Sequence, residues 1–271
     1  MAVWRIRNIG PGSLIDQVLK SRQPKDTPPV YKLPMLEEAV ASIKENLNKP
    51  IAVFGDYDVD GICGALILKT ALAKAGGKVI VRLPTREEGY GIKPMHVLEL
   101  RAEGAKTIIT VDNGITAFDA VKEAKSCGIN VIVTDHHEPK DVLPDCIIVN
   151  PKLRKDGFRD YSGAGVAYIL SKALLESMGL KMDEDLISLA SLATVADVVP
   201  LVGPNFEIAR EGLLQMRKKP SVGLKALIEV SGINQLNGYA FGWQIGPRIN
   251  AAGRIGNPML AYRLPETKDE E

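Results

Sequence analysis

Residues 51–84 read IAVFGDYDVDGICGALILKTALAKAGGKVIVRLP, and this stretch decides the fold. The apolar run 51–56 is typical of a buried strand, and 61–77 has the composition of a helix that stops at two glycines. The run 78–84 predicts a second strand. A strand, a helix and a strand in this order are typical of an α/β fold with a parallel sheet.

The same alternation continues to residue 151. Helices are predicted over 36–49, 93–104 and 117–128, and further strands over 106–114, 129–137 and 146–151. We therefore expect an α/β fold in which a parallel sheet has helices on both faces. After residue 160 the apolar pattern becomes helical, which predicts a mainly helical C-terminal part.

These patterns divide the chain into three predicted parts. Residues 1–48 are interpreted as an N-terminal extension and a helix, 49–200 as the α/β domain, and 201–271 as a helical remainder. The α/β part carries most of the polar motifs described below. We therefore expect it to be the catalytic domain.

The composition is that of a globular protein. The chain has 271 residues, of which 45% are hydrophobic and 25% charged, and its net charge of +1 does not by itself predict a nucleic-acid partner. Cys63, Cys127 and Cys146 are far apart, which argues against a disulfide framework and favours a reducing cytoplasm. No signal peptide and no apolar run of about 18 residues is evident, so we expect no membrane association.

Polar side chains follow three of the predicted strands. They are Asp56, Asp58 and Asp60 in DYDVDG, Asp112 in VDNG, and Asp135, His136 and His137 in TDHH. Because the carboxyl ends of parallel strands form one ligand crevice, we expect these side chains to converge. Carboxylates with imidazoles suit Mn²⁺, with Mg²⁺ or Zn²⁺ as alternatives. Two ions about 3.5–4 Å apart would offset the repulsion between the aspartates.

Each of these groups also has an ordinary structural interpretation. Asp60, before Gly61, is typical of a helix N-cap as well as of a ligand, and Asp112 in DNG is typical of a turn. Adjacent histidines are often surface or capping residues, and His96, on an apolar helix, is interpreted as a structural or surface residue. The coincidence of ligand-type residues at three strand ends favours a metal site.

A further carboxylate, Asp197, lies in the apolar stretch ASLATVADVVPL (190–201). An isolated carboxylate in such a run is unfavourable unless it is paired or binds a metal. The alternatives are an N-cap or a buried pair with an arginine. We favour a metal ligand because of the cluster predicted at the sheet.

Two motifs are typical of anion binding by the backbone and by arginine. SGAGVAY (162–168) places Ser162 and Gly163 at a predicted helix start, where free N–H groups favour phosphate. GPRINAAGR (246–254) offers side chains to a phosphodiester backbone, namely Arg248, Asn250 and Arg254. Arg86 in PTREEGYG is another basic residue beside a glycine-rich loop. Helix packing and an exposed turn are the respective structural alternatives.

Together, DYDVDG, VDNG, TDHH and ATVADVVPL resemble the four motifs of the DHH phosphoesterase superfamily. SGAGVAY and GPRINAAGR sharpen the resemblance to the RecJ branch of single-strand-specific DNA exonucleases. The six motifs occur in the expected order from about residue 50 to the end of the chain. The resemblance implies a phosphodiesterase with two Mn²⁺ or Mg²⁺ ions. Such an enzyme degrades single-stranded DNA from the 5′ end to 5′-mononucleotides, in DNA repair and recombination.

The resemblance also implies roles for individual residues. The implied metal ligands are Asp56, Asp58, Asp112, His136 and Asp197, with Asp112 bridging. The implied catalytic residues are His137, facing the scissile phosphate, Asp135, orienting a neighbouring imidazole, and Asp60, as a ligand or a support. The implied contacts with DNA phosphates are Arg86, Ser162, Gly163, Arg248, Asn250 and Arg254.

RecJ enzymes normally continue into a second, DHH-associated domain and often an OB-fold. The expectation is therefore that 201–271 ends in the start of a connector to a second domain that this sequence lacks. Single-stranded DNA is the implied partner, with a single-strand-binding protein or a helicase as further partners. Two alternatives stay open. One is a DHH phosphohydrolase acting on short oligonucleotides, cyclic dinucleotides or pyrophosphate, and the other is a non-catalytic RecJ-like scaffold that binds single strands.

Overall fold

The computed structural model describes residues 33–267, and a parallel sheet lies at the centre of this part of the chain. Its strands are β1 (Ile51–Phe54), β2 (Val79–Arg82), β3 (Thr107–Val111), β4 (Asn130–Thr134) and β5 (Ile147–Val149). They lie in the order β2-β1-β3-β4-β5, and every neighbouring pair is parallel. The predicted strands and the predicted parallel sheet are confirmed.

Helices cover both faces of this sheet. Within 33–180 they are α1 (Leu36–Asn46), α2 (Val59–Lys74), α3 (Pro94–Ala102), α4 (Phe118–Ser126) and α5 (Gly163–Ser177). The buried side chains of α1, α2 and α5 form one apolar cluster with one face of the sheet. Those of α3 and α4 form another cluster with the opposite face. The prediction of a sheet covered on both faces is therefore confirmed.

The C-terminal part is helical, as predicted. Its elements are α6 (Leu186–Ala196), α7 (Pro204–Lys218), α8 (Val222–Val230), a π-helical segment (Ala240–Ile245), α9 (Gly246–Ile255) and α10 (Pro258–Glu266). Helix α6 packs against α2 and α5, so the helical part continues the apolar cluster on that face. Of the predicted N-terminal extension, residues 1–32 lie outside the described residues, and the predicted domain boundaries stay predictions.

The strand order determines where a ligand crevice forms. The strand that follows β1 in the chain, β2, lies on one side of β1 in the sheet. The next strand, β3, lies on the other side of β1. In open parallel sheets, ligands bind at the carboxyl ends of strands on either side of such a change of direction. The crevice is therefore expected between the ends of β1 and β3. Among the helices in residues 33–267, none has the length and apolar character needed to cross a membrane.

Candidate active site

The loop after β1 turns tightly into α2. Asp58 is the N-cap of α2, and its Oδ1 atom accepts hydrogen bonds from the N–H groups of Asp60 at 3.0 Å and Gly61 at 3.1 Å. A Cβ atom at Gly61 would lie 2.4 Å from the backbone nitrogen of Asp56, so this close approach requires glycine. The N-cap role considered for Asp60 therefore belongs to Asp58.

Asp60 is buried against the first turn of α5. Its carboxylate accepts hydrogen bonds from the N–H groups of Gly163 at 2.6 Å and Ala164 at 2.9 Å. Ser162 is fully buried, and its hydroxyl accepts the N–H of Gly165 at 3.1 Å. These donors at the helix start are therefore used within the protein, and the contact of Ser162 and Gly163 with a DNA phosphate stays a prediction.

Asp112 follows β3 and lies opposite this loop. Its φ angle of 63° is left-handed, a conformation that aspartate adopts more readily than most residues. The neighbouring Asn113 is fully buried, and its amide donates to the carbonyl oxygens of Phe54 at 3.3 Å and Val111 at 2.9 Å. The amide thus ties the ends of β1 and β3 together and fixes where the carboxylate of Asp112 lies.

Asp135 organises the histidine pair after β4. Its Oδ1 atom accepts the N–H groups of His136 at 2.7 Å and His137 at 3.1 Å, and its Oδ2 atom accepts the N–H of Ile115 at 2.9 Å. The Nδ1 atom of His137 lies 2.8 Å from Oδ1, which sets the orientation of that ring. Burial raises the pKa of Asp135, but the hydrogen bond and the charge of His137 outweigh burial and lower it. The same hydrogen bond raises the pKa of His137.

His136 lies among carboxylates from three elements. Its Nε2 atom is 3.0 Å from Asp112 Oδ1, 3.7 Å from Asp60 Oδ2 and 3.8 Å from Asp197 Oδ2. Three groups each bring their ligand atoms within 4.8 Å of one another, namely Asp56–Asp58–Asp112, Asp112–His136–His137 and Asp60–His136–Asp197. The convergence predicted for the three strand ends and Asp197 is thus observed.

The carboxylates raise one another's pKa because they are buried together. Burial, followed by the charge of Asp58, raises the pKa of Asp56 to about 7. Burial, followed by the charges of Asp60 and Asp58, raises the pKa of Asp197 to about 8. Burial and the same neighbours hold the pKa of Asp112 well above its usual range. A cluster of this kind is stable in its charged form only when a cation compensates it.

The donor set fits a divalent cation. Oδ1 of Asp56 and Oδ1 of Asp112 are buried without an aligned hydrogen bond from any group in residues 33–267. Buried polar atoms are otherwise almost always hydrogen-bonded, so an oxygen of this kind points to a ligand. Carboxylate oxygens with one or two imidazoles are the donors that Mn²⁺ and Mg²⁺ accept.

A cleft of about 330 Å³ opens over these residues. It is lined by Asp56, Tyr57, Asp58, Arg86, Tyr90, Asp112, His137, Asp197, Asn250 and Arg254. Arg86 and Arg254 thus line the same cleft as Asp56 and Asp112, and their contact with DNA phosphates stays a prediction. Asn250 also accepts the N–H of Val59 at 2.7 Å and so supports the start of α2.

Arg248, another predicted phosphate contact, does not line this cleft. Its guanidinium donates to the carbonyl oxygen of Gln244 at 2.7 Å, and it is not among the described residues that line the cleft. On α9 it precedes Arg254 by six residues, which is not a whole number of helical turns. Arg248 therefore does not share the side of Arg254, and its contact with DNA phosphates stays a prediction.

Tyr90 and Tyr57 line the cleft and were both missed by the sequence interpretation, and Tyr90 is the one that contacts the residues after β3 and β4. Its hydroxyl donates to the carbonyl oxygen of Asp112 at 3.0 Å and lies 3.2 Å from Nδ1 of His137. Gly89 and Gly91 on either side have left-handed φ angles of 80° and 77°, which place this loop over the cleft. The available signal was the tyrosine between two glycines after a strand that ends at the same edge of the sheet.

A parallel sheet with carboxylates and imidazoles at its crevice defines a protein with a candidate divalent-cation site. The chain belongs to the DHH family: the model of the DHH family, N-terminal domain, matches residues 50–194. The resemblance inferred from the motifs is thereby confirmed.

Its relatives include single-stranded-DNA-specific exonucleases named RecJ. The chain is 41% identical over 247 residues to that of Thermus thermophilus, covering 89% of this chain and 37% of the relative. It is 38% identical over 249 residues to that of Bacillus subtilis, covering 88% of this chain and 31% of the relative. The chain thus spans about a third of the length of these two relatives.

Solved structures agree in fold. A crystal structure of exonuclease RecJ bound to manganese has a TM-score of 0.83 and 40% identity, covering 88% of this chain and 62% of that one. RecJ from Thermus thermophilus in complex with Mn²⁺ has a TM-score of 0.81 and 38% identity, covering 90% and 36%. The same protein in complex with Mg²⁺ has a TM-score of 0.69 and 35% identity, covering 90% and 33%. Those structures bind the cations that the donor set here fits.

Proposed function

We propose that this chain carries the active site of a metal-dependent phosphodiesterase that degrades single-stranded DNA from the 5′ end to 5′-mononucleotides. The observation that carries the proposal is the pair of buried oxygens without an aligned hydrogen bond, Oδ1 of Asp56 and Oδ1 of Asp112, in a cleft that Arg86 and Arg254 also line. A buried carboxylate without a compensating charge favours the binding of a cation, and arginines in the same cleft favour the binding of a phosphate. The names of the RecJ relatives supply the nucleic-acid substrate.

The proposed ligand set is divided between two cations. Asp56, Asp58 and Asp112 would hold one cation. Asp112, His136 and Asp197 would hold the other. Bound divalent cations supply neutralisation of the phosphate charge and activation of water at neutral pH. Asp60 is given a supporting role, because both of its oxygens accept backbone hydrogen bonds from α5.

His137 is proposed to stabilise charge on the scissile phosphate. Its side chain is 48% exposed, and Nδ1 is held by Asp135. The hydrogen bond with Asp135 raises the pKa of His137, which favours the protonated ring more than in a free imidazole. A protonated imidazole that is held in a fixed position beside the phosphate stabilises the negative charge that develops as the phosphodiester bond breaks. Asp135 acts through His137 and is therefore a positioning residue.

Arg86 and Arg254 are proposed to bind the phosphates of the strand. The guanidinium of Arg86 lies 5.2 Å from the centre of the Tyr57 ring, which orients it at the cleft wall. A role in DNA repair and recombination, a cytoplasmic location and an association with a single-strand-binding protein or a helicase belong to the same proposal.

The test uses strands labelled at either end. A 5′-labelled and a 3′-labelled single strand, and the duplex of each, are incubated with the chain in Mn²⁺ and in EDTA. Early release of labelled mononucleotide from the 5′-labelled single strand alone is expected, with loss of the product in EDTA. Asp112→Ala should be inactive, whereas Asp141→Ala, which removes an exposed carboxylate, should be fully active.

Other outcomes would replace the proposal. First release from the 3′-labelled strand would reverse the polarity. Turnover of a dinucleotide without turnover of a long strand would favour a small-substrate phosphohydrolase, for which a cleft of about 330 Å³ is large enough. Binding of single strands in EDTA without turnover in Mn²⁺ would favour a scaffold.

A further inference from the structure

The π-helical segment and α9 form one continuous helical stretch along the rim of the cleft. A Cβ atom at Gly242 would lie 3.7 Å from Val195, in the last turn of α6, the helix that ends at Asp197. At the other end, a Cβ atom at Gly253 would lie 2.7 Å from the carbonyl oxygen of Tyr57. The stretch therefore runs from the end of α6 to the loop after β1, directly beside the metal ligands.

Trp243 is an exposed residue in the π-helical part of this stretch. It precedes Asn250 by seven residues and Arg254 by eleven along the same continuous helical stretch. Asn250 and Arg254 line the cleft. Trp243 is 73% exposed, and Tyr239, about one turn before it, is 65% exposed.

Two large exposed rings in succession are unusual on a chain with 5% aromatic residues. Their neighbours Phe241 and Ile245 are fully buried and hold the segment against the protein, so the position of the rings is fixed. Bases of a single strand stack on aromatic side chains without regard to sequence, while arginine holds the phosphates. Trp243 and Arg254 provide an exposed ring and an arginine on one continuous helical stretch.

We infer that Trp243, with Tyr239 beside it, is a stacking surface for the bases of a single strand whose phosphates pass Arg254 into the cleft. The inference rests on the proposed function and adds residues that contact bases rather than phosphates. It explains how a chain of net charge +1 can hold a strand, since stacking does not depend on net charge.

The test separates stacking from phosphate contact. Binding of a labelled oligothymidylate and of an abasic strand of equal length is measured by fluorescence anisotropy, with Ca²⁺ in place of Mn²⁺ and strand integrity checked on a gel. Trp243→Ala should weaken binding of oligothymidylate by about tenfold and leave the abasic strand unaffected. Ile255→Ala is the matched control, because this side chain on the same helix is 88% exposed and has no aromatic face.

A second readout uses the tryptophan itself. The chain has two tryptophans, and Trp4→Phe leaves Trp243 as the only one. Its fluorescence should be quenched by oligothymidylate and not by the abasic strand. Equal affinity of Trp243→Ala and the unaltered chain for oligothymidylate would overturn the inference, and so would equal weakening toward both strands. If the unaltered chain binds neither strand, the proposed function fails together with the inference.

Discussion

The carboxylate of Asp60 accepts a hydrogen bond of 2.6 Å from the backbone N–H of Gly163, at the first residue of α5. The start of a helix carries free N–H groups and a partial positive charge, and it binds anions readily. Here the anion is a side chain of the protein. This explains how Asp60 is kept in a buried position beside other carboxylates, and it leaves the cations to compensate Asp56 and Asp112.

Gly163→Ala should disturb the site more than the fold. A Cβ atom at Gly163 would lie 2.5 Å from Cβ of Asp112 and 2.9 Å from its Cα, so the loop after β3 must shift. We expect a loss of about 1–3 kcal/mol in the free energy of unfolding, as for other overpacked sites. Mn²⁺ affinity should fall as well, because Asp112 belongs to the proposed ligand set. Urea unfolding and calorimetric titration of Mn²⁺ measure the two effects.

Gly165→Ala, in the same turn of α5, is the matched control. A Cβ atom there would lie no closer than 3.5 Å to its neighbours, which is an ordinary contact distance. Alanine favours a helix interior over glycine by up to about 1 kcal/mol, so stability should be unchanged or raised. Equal effects of the two substitutions would contradict the interpretation that Gly163 is required by Asp112.

Much of the architecture could be predicted from the sequence, because strands and helices alternate in short, strongly apolar runs. Ligand-type residues follow β1, β3 and β4 directly, and the topology of parallel strands brings such residues together. Asp56, Asp112 and His136 were therefore predictable as neighbours. The sequence could not show that a carboxylate of the protein fills the start of α5, since the hydrogen bond between Asp60 and Gly163 spans 103 positions.

The remaining differences between the sequence interpretation and the structure concern the orientation of side chains and not the residue types. Arg248 and Arg254 look equivalent in the motif GPRINAAGR, and only the helical phase of α9 separates them. Tyr90 was missed because its role depends on contacts with His137 and Asp112, both distant in the chain. Local sequence patterns identify residues of the types found in active sites, but the packing of loops determines which of their side-chain atoms are in contact.

Tyr90→Phe should lower the rate of catalysis without unfolding the protein. The substitution removes a hydroxyl that donates to the carbonyl oxygen of Asp112 and approaches Nδ1 of His137. The ring, its packing and the two left-handed glycines are kept. We expect kcat to fall about fivefold, since one positioning hydrogen bond contributes on the order of 1 kcal/mol. Steady-state kinetics on a single-stranded oligonucleotide measure this change.

Tyr57→Phe is the control for Tyr90→Phe, because it makes the same change on another tyrosine of the cleft. Its ring keeps the contact with the guanidinium of Arg86. Activity close to that of the unaltered chain is expected. If Tyr57→Phe loses as much activity as Tyr90→Phe, the effect does not come from the hydrogen bonds to Asp112 and His137.

Asp112→Asn should stabilise the metal-free protein and abolish its response to metal. Burial and the charges of Asp60 and Asp58 raise the pKa of Asp112, which shows that its charged form is disfavoured in the folded state. Asparagine removes this repulsion and also tolerates the left-handed φ of 63°. In EDTA we expect an increase of about 1 kcal/mol or more in the free energy of unfolding.

Thermal unfolding with and without Mn²⁺ completes this test. A cation that binds only the folded state raises the melting temperature, so Mn²⁺ should stabilise the unaltered chain and have no such effect on Asp112→Asn. Asp141→Asn changes the charge equally at an exposed position and should retain the response to Mn²⁺. A metal-dependent rise of equal size in Asp112→Asn would remove Asp112 from the ligand set.

His96 should make stability depend on pH. Its ring is fully buried, lies 4.9 Å from the ring of Phe54 and accepts the N–H of Lys93 at Nδ1, which confirms the structural role predicted for it. Burial, followed by the charge of Arg82, lowers its pKa. The unfolded chain therefore binds the proton more readily. The stabilisation is complete above a pH of about 6.5, the ordinary histidine pKa, and is lost as the pH falls further.

Urea unfolding between pH 7.5 and pH 5, compared for the unaltered chain and His96→Gln, isolates this contribution. Glutamine retains an acceptor for the N–H of Lys93 but does not titrate. The difference in unfolding free energy between the two proteins should shrink as the pH falls, because only histidine loses stability. A constant difference over this range would show that His96 does not change its protonation on unfolding.

Val198 should store backbone strain beside Asp197. Its φ of 59° is left-handed, which is strongly disfavoured for a β-branched residue, and its side chain is 85% exposed and gains little from packing. Val198→Asn should therefore raise the free energy of unfolding by about 1 kcal/mol in EDTA.

Val202→Asn makes the same change at an exposed position without a positive φ and should be nearly neutral. If both substitutions lower stability equally, the left-handed conformation of Val198 is not strained. If Val198→Asn also weakens Mn²⁺ binding, the strain serves to hold Asp197 toward His136.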